Sequence, residues 1–141
     1  MSLPNWSRVI LGAAAAAVTF AVTGPAPAGA DPGGTCASTA FCLYENKNYN
    51  SGNTDHWRNL YTSDKDFRDN VWIDGNRKVT DDGMDNETSS VRNNTNCVVT
   101  IYQHPGYSGA ATTFIRKGQK LPSLSNYGIG DNRASSAKFT C

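Results

Sequence analysis

Apolar residues fall along this chain in short clusters, and beyond residue 30 none of them repeats at helical spacing. Near the amino terminus, Arg8 precedes an Ala-rich apolar run from Val9 to Val22, and a Pro/Gly/Ala tail follows, ending Ala28-Gly29-Ala30. Further on, β-branched and aromatic residues gather at Phe41–Tyr44, His56–Trp57, Val71–Ile73, Ser90–Arg92, Val98–Tyr102, Thr112–Ile115 and Ala137–Thr140. Gly, Asn, Asp and Ser separate these runs. Branched and aromatic side chains fit a pleated, half-buried surface, whereas the separators favour tight turns. Short strands at this spacing predict an all-β sandwich or barrel.

The first 30 residues read as an export signal, with a positive start, an apolar stretch of about 14 residues and a small-residue cleavage site. A membrane span needs about 20 apolar residues, so an anchor is the weaker reading. The expected mature chain is Asp31 to Cys141, one domain's worth of residues. It carries no second long apolar run, so a secreted protein that leaves the membrane after cleavage is expected.

Composition sharpens this picture. From Asp31 onward there are only 17 Leu, Ile, Val and Phe residues, a thin supply for a core. Arg8 is the one charged residue of the leader, so the remaining 12 basic and 12 acidic residues cancel. A nucleic-acid or anionic-membrane partner would call for a basic stripe, and none is present. Twelve aromatic residues and no net charge indicate an ordered, core-poor monomer that needs tethers. Cys36, Cys42, Cys97 and Cys141 all lie in the exported part, where disulfides are the default. Four cysteines allow three pairings. The expected one is Cys36–Cys42 with Cys97–Cys141, the second closing a loop worth roughly 4 kcal/mol in the chain-entropy model. Zinc-type Cys or His spacing is absent.

The chain also repeats itself. Asp85-Asn86-Glu87-Thr88-Ser89-Ser90-Val91 matches Asp131-Asn132-Arg133-Ala134-Ser135-Ser136-Ala137. Upstream, Leu43-Tyr44-Glu45-Asn46-Lys47-Asn48-Tyr49 matches Ile101-Tyr102-Gln103-His104-Pro105-Gly106-Tyr107. Two copies follow, about 36–95 and 96–141, sharing one core. Tyr44 to Asp85 is 41 positions and Tyr102 to Asp131 is 29, so the first copy carries 12 extra residues, expected within Tyr61–Asp82.

The segment Tyr102-x-x-x-x-Tyr107-x-Gly109 resembles the folded hairpin of the βγ-crystallins, where a bend at positive φ wants glycine and rings cover it. In the first copy Tyr44 and Tyr49 are in place, but Ser51 holds the glycine position and Gly52 follows, which predicts a one-residue shift or bulge. The twin Asp-Asn-x-x-Ser-Ser segments resemble the calcium motif of microbial βγ-crystallins. That resemblance implies a double Greek-key sandwich of two pseudo-symmetric copies, with each Ca²⁺ between them. One segment would lend the third-residue carbonyl (Glu87 or Arg133) and the fifth-residue hydroxyl (Ser89 or Ser135). The other would lend an oxygen of Asp85 or Asn86, or of Asp131 or Asn132. Ser90 and Ser136 would instead hold the folded hairpins. Hard oxygen donors of this kind suit Ca²⁺, with an affinity on the order of 10⁻⁵–10⁻³ M. Asx and Ser turns without an ion are the alternative.

The span from Cys36-Ala-Ser-Thr-Ala-Phe41-Cys42-Leu43-Tyr44 to Ser136-Ala137-Lys138-Phe139 is similar to peptidase inhibitor family I36. This implies an extracellular protease, a metalloprotease in the first instance, as partner. The family's disulfide-braced loop has no counterpart after Cys97, so no reactive bond carries over. The Cys36–Cys42 loop and the 61–82 insertion are the candidate contact loops. Catalysis is not expected. His56 and His104 lie in no metal or triad signature, and Gly106-Tyr107-Ser108-Gly109-Ala110 only partly imitates a nucleophile elbow. Asp64, Asp66, Asp81 and Asp82 read as turn residues. A calcium-stabilised module without inhibitory action is the alternative function.

Overall fold

The computed structural model describes residues 36–141, and the expected export signal lies outside them. Among the described residues nine strands form: β1 (Phe41–Tyr44), β2 (Trp57–Leu60), β3 (Val71–Ile73), β4 (Val79–Gly83), β5 (Ser90–Asn93), β6 (Val98–His104), β7 (Ser108–Ile115), β8 (Lys120–Leu121) and β9 (Ser136–Thr140). They make two antiparallel sheets, in the orders β4-β3-β2-β1-β5-β8 and β7-β6-β9.

The two copies interlock. In the first, β1 lies between β2 and β5; in the second, β6 lies between β7 and β9. One segment of each copy crosses to the other sheet. β8 of the second copy pairs with β5 through Val91↔Leu121, and Asp64 of the first copy bridges Ala137 of β9. This exchange is the Greek-key sandwich that the twin motifs imply.

Alternation along β1 sends Phe41 and Leu43 inward and Cys42 and Tyr44 to the opposite face. The inner pair joins Val91, Val99, Ile101, Ile115 and Ala137 in one core between the sheets. Phe67 and Leu124, each opening a short 3₁₀ turn (Phe67–Asp69 and Leu124–Asn126), plug that core from both copies. The outer pair packs with Ala40 and Trp57 under Tyr49 and Ile73, so β1 is covered on both faces. Both expected disulfides are present, Cys36–Cys42 with Cα atoms 5.7 Å apart and Cys97–Cys141 with Cα atoms 4.2 Å apart.

The extra residues of the first copy sit in a narrower place than expected. Phe67 to Asp85 is 18 positions, against 7 from Leu124 to Asp131. Most of the insertion is therefore the β3–β4 hairpin, which extends the larger sheet beyond β2. Residues 61–67 instead match the second copy's crossing strand and 3₁₀ turn. The first bend carries the expected one-residue shift, its positive-φ glycine being Gly52, one position past the counterpart of Gly109. Asn48, Tyr49 and Asn50 are all left-handed (φ 54°, 59° and 56°), with Gly52 at φ 86°. Asn tolerates that region better than most residues. The second copy bends with Gly106 and Tyr107, and there Gly109 is required: a Cβ on it would lie 2.9 Å from Gln103 Cβ.

Candidate functional site: the paired Asp-Asn-x-x-Ser-Ser segments

The two segments approach β5 and β9 through matching turns. Asn86 and Asn132 take left-handed φ values of 60° and 54° at equivalent positions. The N–H of Ser89 then donates to the Tyr44 carbonyl and that of Ser135 to the Tyr102 carbonyl, both at 2.9 Å. The following serines close the folded hairpins. Ser90 Oγ donates to the Asn46 carbonyl (2.6 Å) and accepts from Tyr49 N–H (3.0 Å). Ser136 Oγ donates to the His104 carbonyl (2.7 Å) and accepts from Tyr107 N–H (3.2 Å). Tyr44 meets Tyr49 edge-on at 5.8 Å, and Tyr102 meets Tyr107 at 5.9 Å.

Across the pseudo-two-fold the segments bind one another reciprocally. Asn86 N–H donates to the Ala134 carbonyl (3.0 Å), and Asn132 N–H to the Thr88 carbonyl (3.1 Å). Ser89 Oγ donates to Asn132 Oδ1 (2.9 Å), and Ser135 Oγ to Asn86 Oδ1 (3.2 Å). Each hydroxyl of one copy thus stands beside the amide oxygen of the other. Adjacent oxygens on one Ca²⁺, at bonds of 2.3–2.6 Å, lie roughly 3 Å apart. Asp85 Oδ1 and Asp131 Oδ1 are buried without a hydrogen-bond partner among the described residues. A buried, unsatisfied carboxylate oxygen is costly, and a cation is one way to satisfy it. Glu87 commits its carboxylate elsewhere, accepting from Trp72 Nε1–H at 2.9 Å. Arg133 runs its side chain over Gly130.

The two halves are unequal in charge. Lys47 Nζ lies 3.3 Å from Asp131 Oδ2, whereas the position equivalent to Lys47 in the second copy is Pro105. Asp85 Oδ2 accepts from the Asn86 amide at 2.9 Å, and the charge of Asp85 acts on the Arg68 guanidinium.

Other residues singled out in the sequence go elsewhere. Asp64 accepts from Asp66 N–H and from the Asn70 amide, so it is a brace. Asp66 caps the first 3₁₀ turn by accepting from Arg68 N–H, and the Arg68 guanidinium beside it lowers its pKa to about 2. That carboxylate raises the Arg68 pKa in return. The Cys36–Cys42 loop is a compact turn, held by Ala40 N–H to the Ala37 carbonyl and by the Asn94 amide to the same oxygen. His56, placed in no sequence signature, sits with Glu45 and Asp82. Glu45 and His56 meet across the β1–β2 pairing, and Asp82 joins them only because the inserted hairpin folds back, so spacing gave no signal.

A family model described as peptidase inhibitor family I36 matches residues 29–114. None of the curated proteins matches the chain. Among solved structures, a chain from work on the evolution of the eye-lens βγ-crystallin domain fold aligns with TM-score 0.56 at 18% identity, covering 74% of this chain and 87% of that one. A βγ-crystallin from Ciona intestinalis aligns at 0.51 and 19%, covering 72% and 99%. One from an archaeon aligns at 0.51 and 15%, covering 74% and 100%. At these identities the likeness concerns the fold.

Proposed function

The chain belongs to peptidase inhibitor family I36, and from that membership we propose that it is a secreted proteinaceous inhibitor of an extracellular protease, with a fold clamped by Ca²⁺. Family and fold are both of non-catalytic kinds, and two disulfides suit an oxidising, extracellular setting. The observation that carries the reading is the family match over residues 29–114 of a disulfide-tied β domain. Such a domain presents its contact surface already ordered, so little conformational entropy is lost on binding a protease.

The inserted hairpin is the better of the two candidate contact regions. Asp74 Oδ1 accepts from the N–H groups of Asn76 and Lys78, which stiffens its tip. β4 is an edge strand of the larger sheet, with Val79 68% exposed. An extended edge of this kind can pair with the substrate-binding strand of a protease. The test is titration against a thermolysin-like metalloprotease and a subtilisin-like serine protease. Stoichiometric inhibition of one of them by micromolar protein, weakened by Val79→Asp, is expected. Full activity of both enzymes at that concentration overturns the proposal.

The paired segments support the second reading, a calcium-stabilised module without inhibitory action. Asp85, Asn86, Ser89, Asp131, Asn132 and Ser135, with the carbonyls of Glu87 and Arg133, offer the hard oxygen donors that Ca²⁺ prefers. Asp85 Oδ1 and Asp131 Oδ1 are the buried oxygens an ion would satisfy. Calcium stabilisation without inhibition of either protease favours this reading alone.

A further inference from the structure

We infer that Glu45, His56 and Asp82 form a site for a borderline divalent transition ion of the Zn²⁺ or Cu²⁺ kind, separate from the paired Asp-Asn-x-x-Ser-Ser segments. Their ligand atoms lie within 4.8 Å of one another. His56 Nδ1 is 2.6 Å from Glu45 Oε2 and 3.7 Å from Asp82 Oδ2. Ligands around a tetrahedral zinc, at bonds of about 2.1 Å, stand roughly 3.4 Å apart. Shifts of about an ångström would therefore bring the three groups onto one ion, leaving a fourth position for water. An imidazole with two carboxylates favours Zn²⁺ or Cu²⁺ over Ca²⁺, which takes oxygen donors.

The backbone and its neighbours prepare this arrangement. Glu45 N–H donates to the His56 carbonyl at 3.1 Å, so the two residues face each other across the mouth of the first bend. The buried Asn50 amide donates to the same carbonyl and to that of Asp55, which holds His56 in place. The imidazole stacks on Trp72, with 6.5 Å between centroids and 11° between planes. Asp82 comes from β4, in the hairpin that only the first copy has. In the second copy Gln103 stands where Glu45 does, and no hairpin supplies a third ligand. All three side chains remain open to solvent, at 31%, 27% and 46% exposure, so an ion can enter. Bound there, it would fasten the inserted hairpin to the bend of the first copy.

The experiment is calorimetry with zinc chloride on the oxidised protein, with and without saturating Ca²⁺, beside tryptophan quenching by copper chloride. One Zn²⁺ per chain is expected, unaffected by Ca²⁺, with Cu²⁺ quenching that reports its closeness to Trp72. His56→Ala should weaken binding at least tenfold, and Asp82→Asn, on an exposed strand, should weaken it severalfold without loss of fold. His104→Ala should change nothing. Absence of saturable Zn²⁺ binding overturns the inference, as does binding that survives both His56→Ala and Asp82→Asn. The protease titration and the Ca²⁺ melts are separate measurements, so their failure leaves this result standing and the reverse also holds.

Discussion

The two copies agree where they touch and differ where they face outward. At the pseudo-two-fold each contact has its counterpart: Ser89 with Asn132 and Ser135 with Asn86, Asn86 with Ala134 and Asn132 with Thr88, Ser90 and Ser136 under their own hairpins. A change on one side of such a pair leaves a buried group unmatched on the other. Away from the axis nothing enforces likeness. There the first copy has gained the β3–β4 hairpin, the Glu45–His56–Asp82 cluster and Lys47, while the second has kept a shorter bend around Gly106 and Gly109. The shared centre explains how so lean a core stays folded, and the unequal rims are where new contacts can arise.

The largest effect should come from the tethers, which are themselves unequal. Replacing Cys97 and Cys141 by serine opens a long loop and should cost about 4 kcal/mol, against about 2 kcal/mol for Cys36 and Cys42, whose loop is short. Denaturant melts of the two double variants measure the contrast; equal losses would break it. Next come the hairpin serines. Ser90→Ala and Ser136→Ala each strand one part-buried N–H and one carbonyl, and each should cost about 1–3 kcal/mol. Near-equal losses in urea unfolding are expected if the copies are equivalent at the centre, and a gap above about 2 kcal/mol would contradict that equivalence.

The sequence makes this shared centre visible and hides much of the rim. Paired Asp-Asn-x-x-Ser-Ser segments, each behind its own Tyr hairpin, disclose the two-fold arrangement because the same donors and acceptors must recur for the bonds to be reciprocal. Strand β4 is hidden because Val-Thr-Asp-Asp-Gly buries little, and its pairing with β3 supplies the order that its own residues lack. Strand β8 is two residues long and defined by its crossing to β5. Lys47 beside Asp131 and Asp82 beside His56 are long-range meetings that no local spacing encodes. The first bend is legible in Tyr44, Tyr49 and the displaced glycine Gly52, but the left-handed run Asn48-Tyr49-Asn50 is not, because residues with a Cβ usually avoid that region.

Smaller effects test the rim. Lys47 holds a positive charge beside Asp131, whereas Asp85 gains none from Pro105 and acts instead on Arg68. Lys47→Met should therefore raise Ca²⁺ affinity about threefold to tenfold for one of two sites in calorimetry, with the other unchanged. Smallest is the contribution of Asp66. Its carboxyl is held near 2 by Arg68 in the folded protein, below its ordinary 3.8, so the folded state favours the charged form. The resulting stability is present above about pH 4 and is lost as pH falls toward 2. Thermal melts of Asp66→Asn and the native chain should differ slightly at pH 6 and converge near pH 2.

The most direct test of the central claim, that the paired segments are cation clamps joining two copies, is the melting temperature with 5 mM Ca²⁺ and with chelator, for the native chain and for Asp85→Asn with Asp131→Asn. At 5 mM, a Kd of 10⁻⁵–10⁻³ M means that one ion adds about 1–4 kcal/mol, and each kcal/mol moves a domain of about 100 residues by about 4–8 °C. The account predicts a rise of about 4 °C or more in the native chain and little or none in the double variant. Superimposable melts of the native chain with and without Ca²⁺ would contradict it.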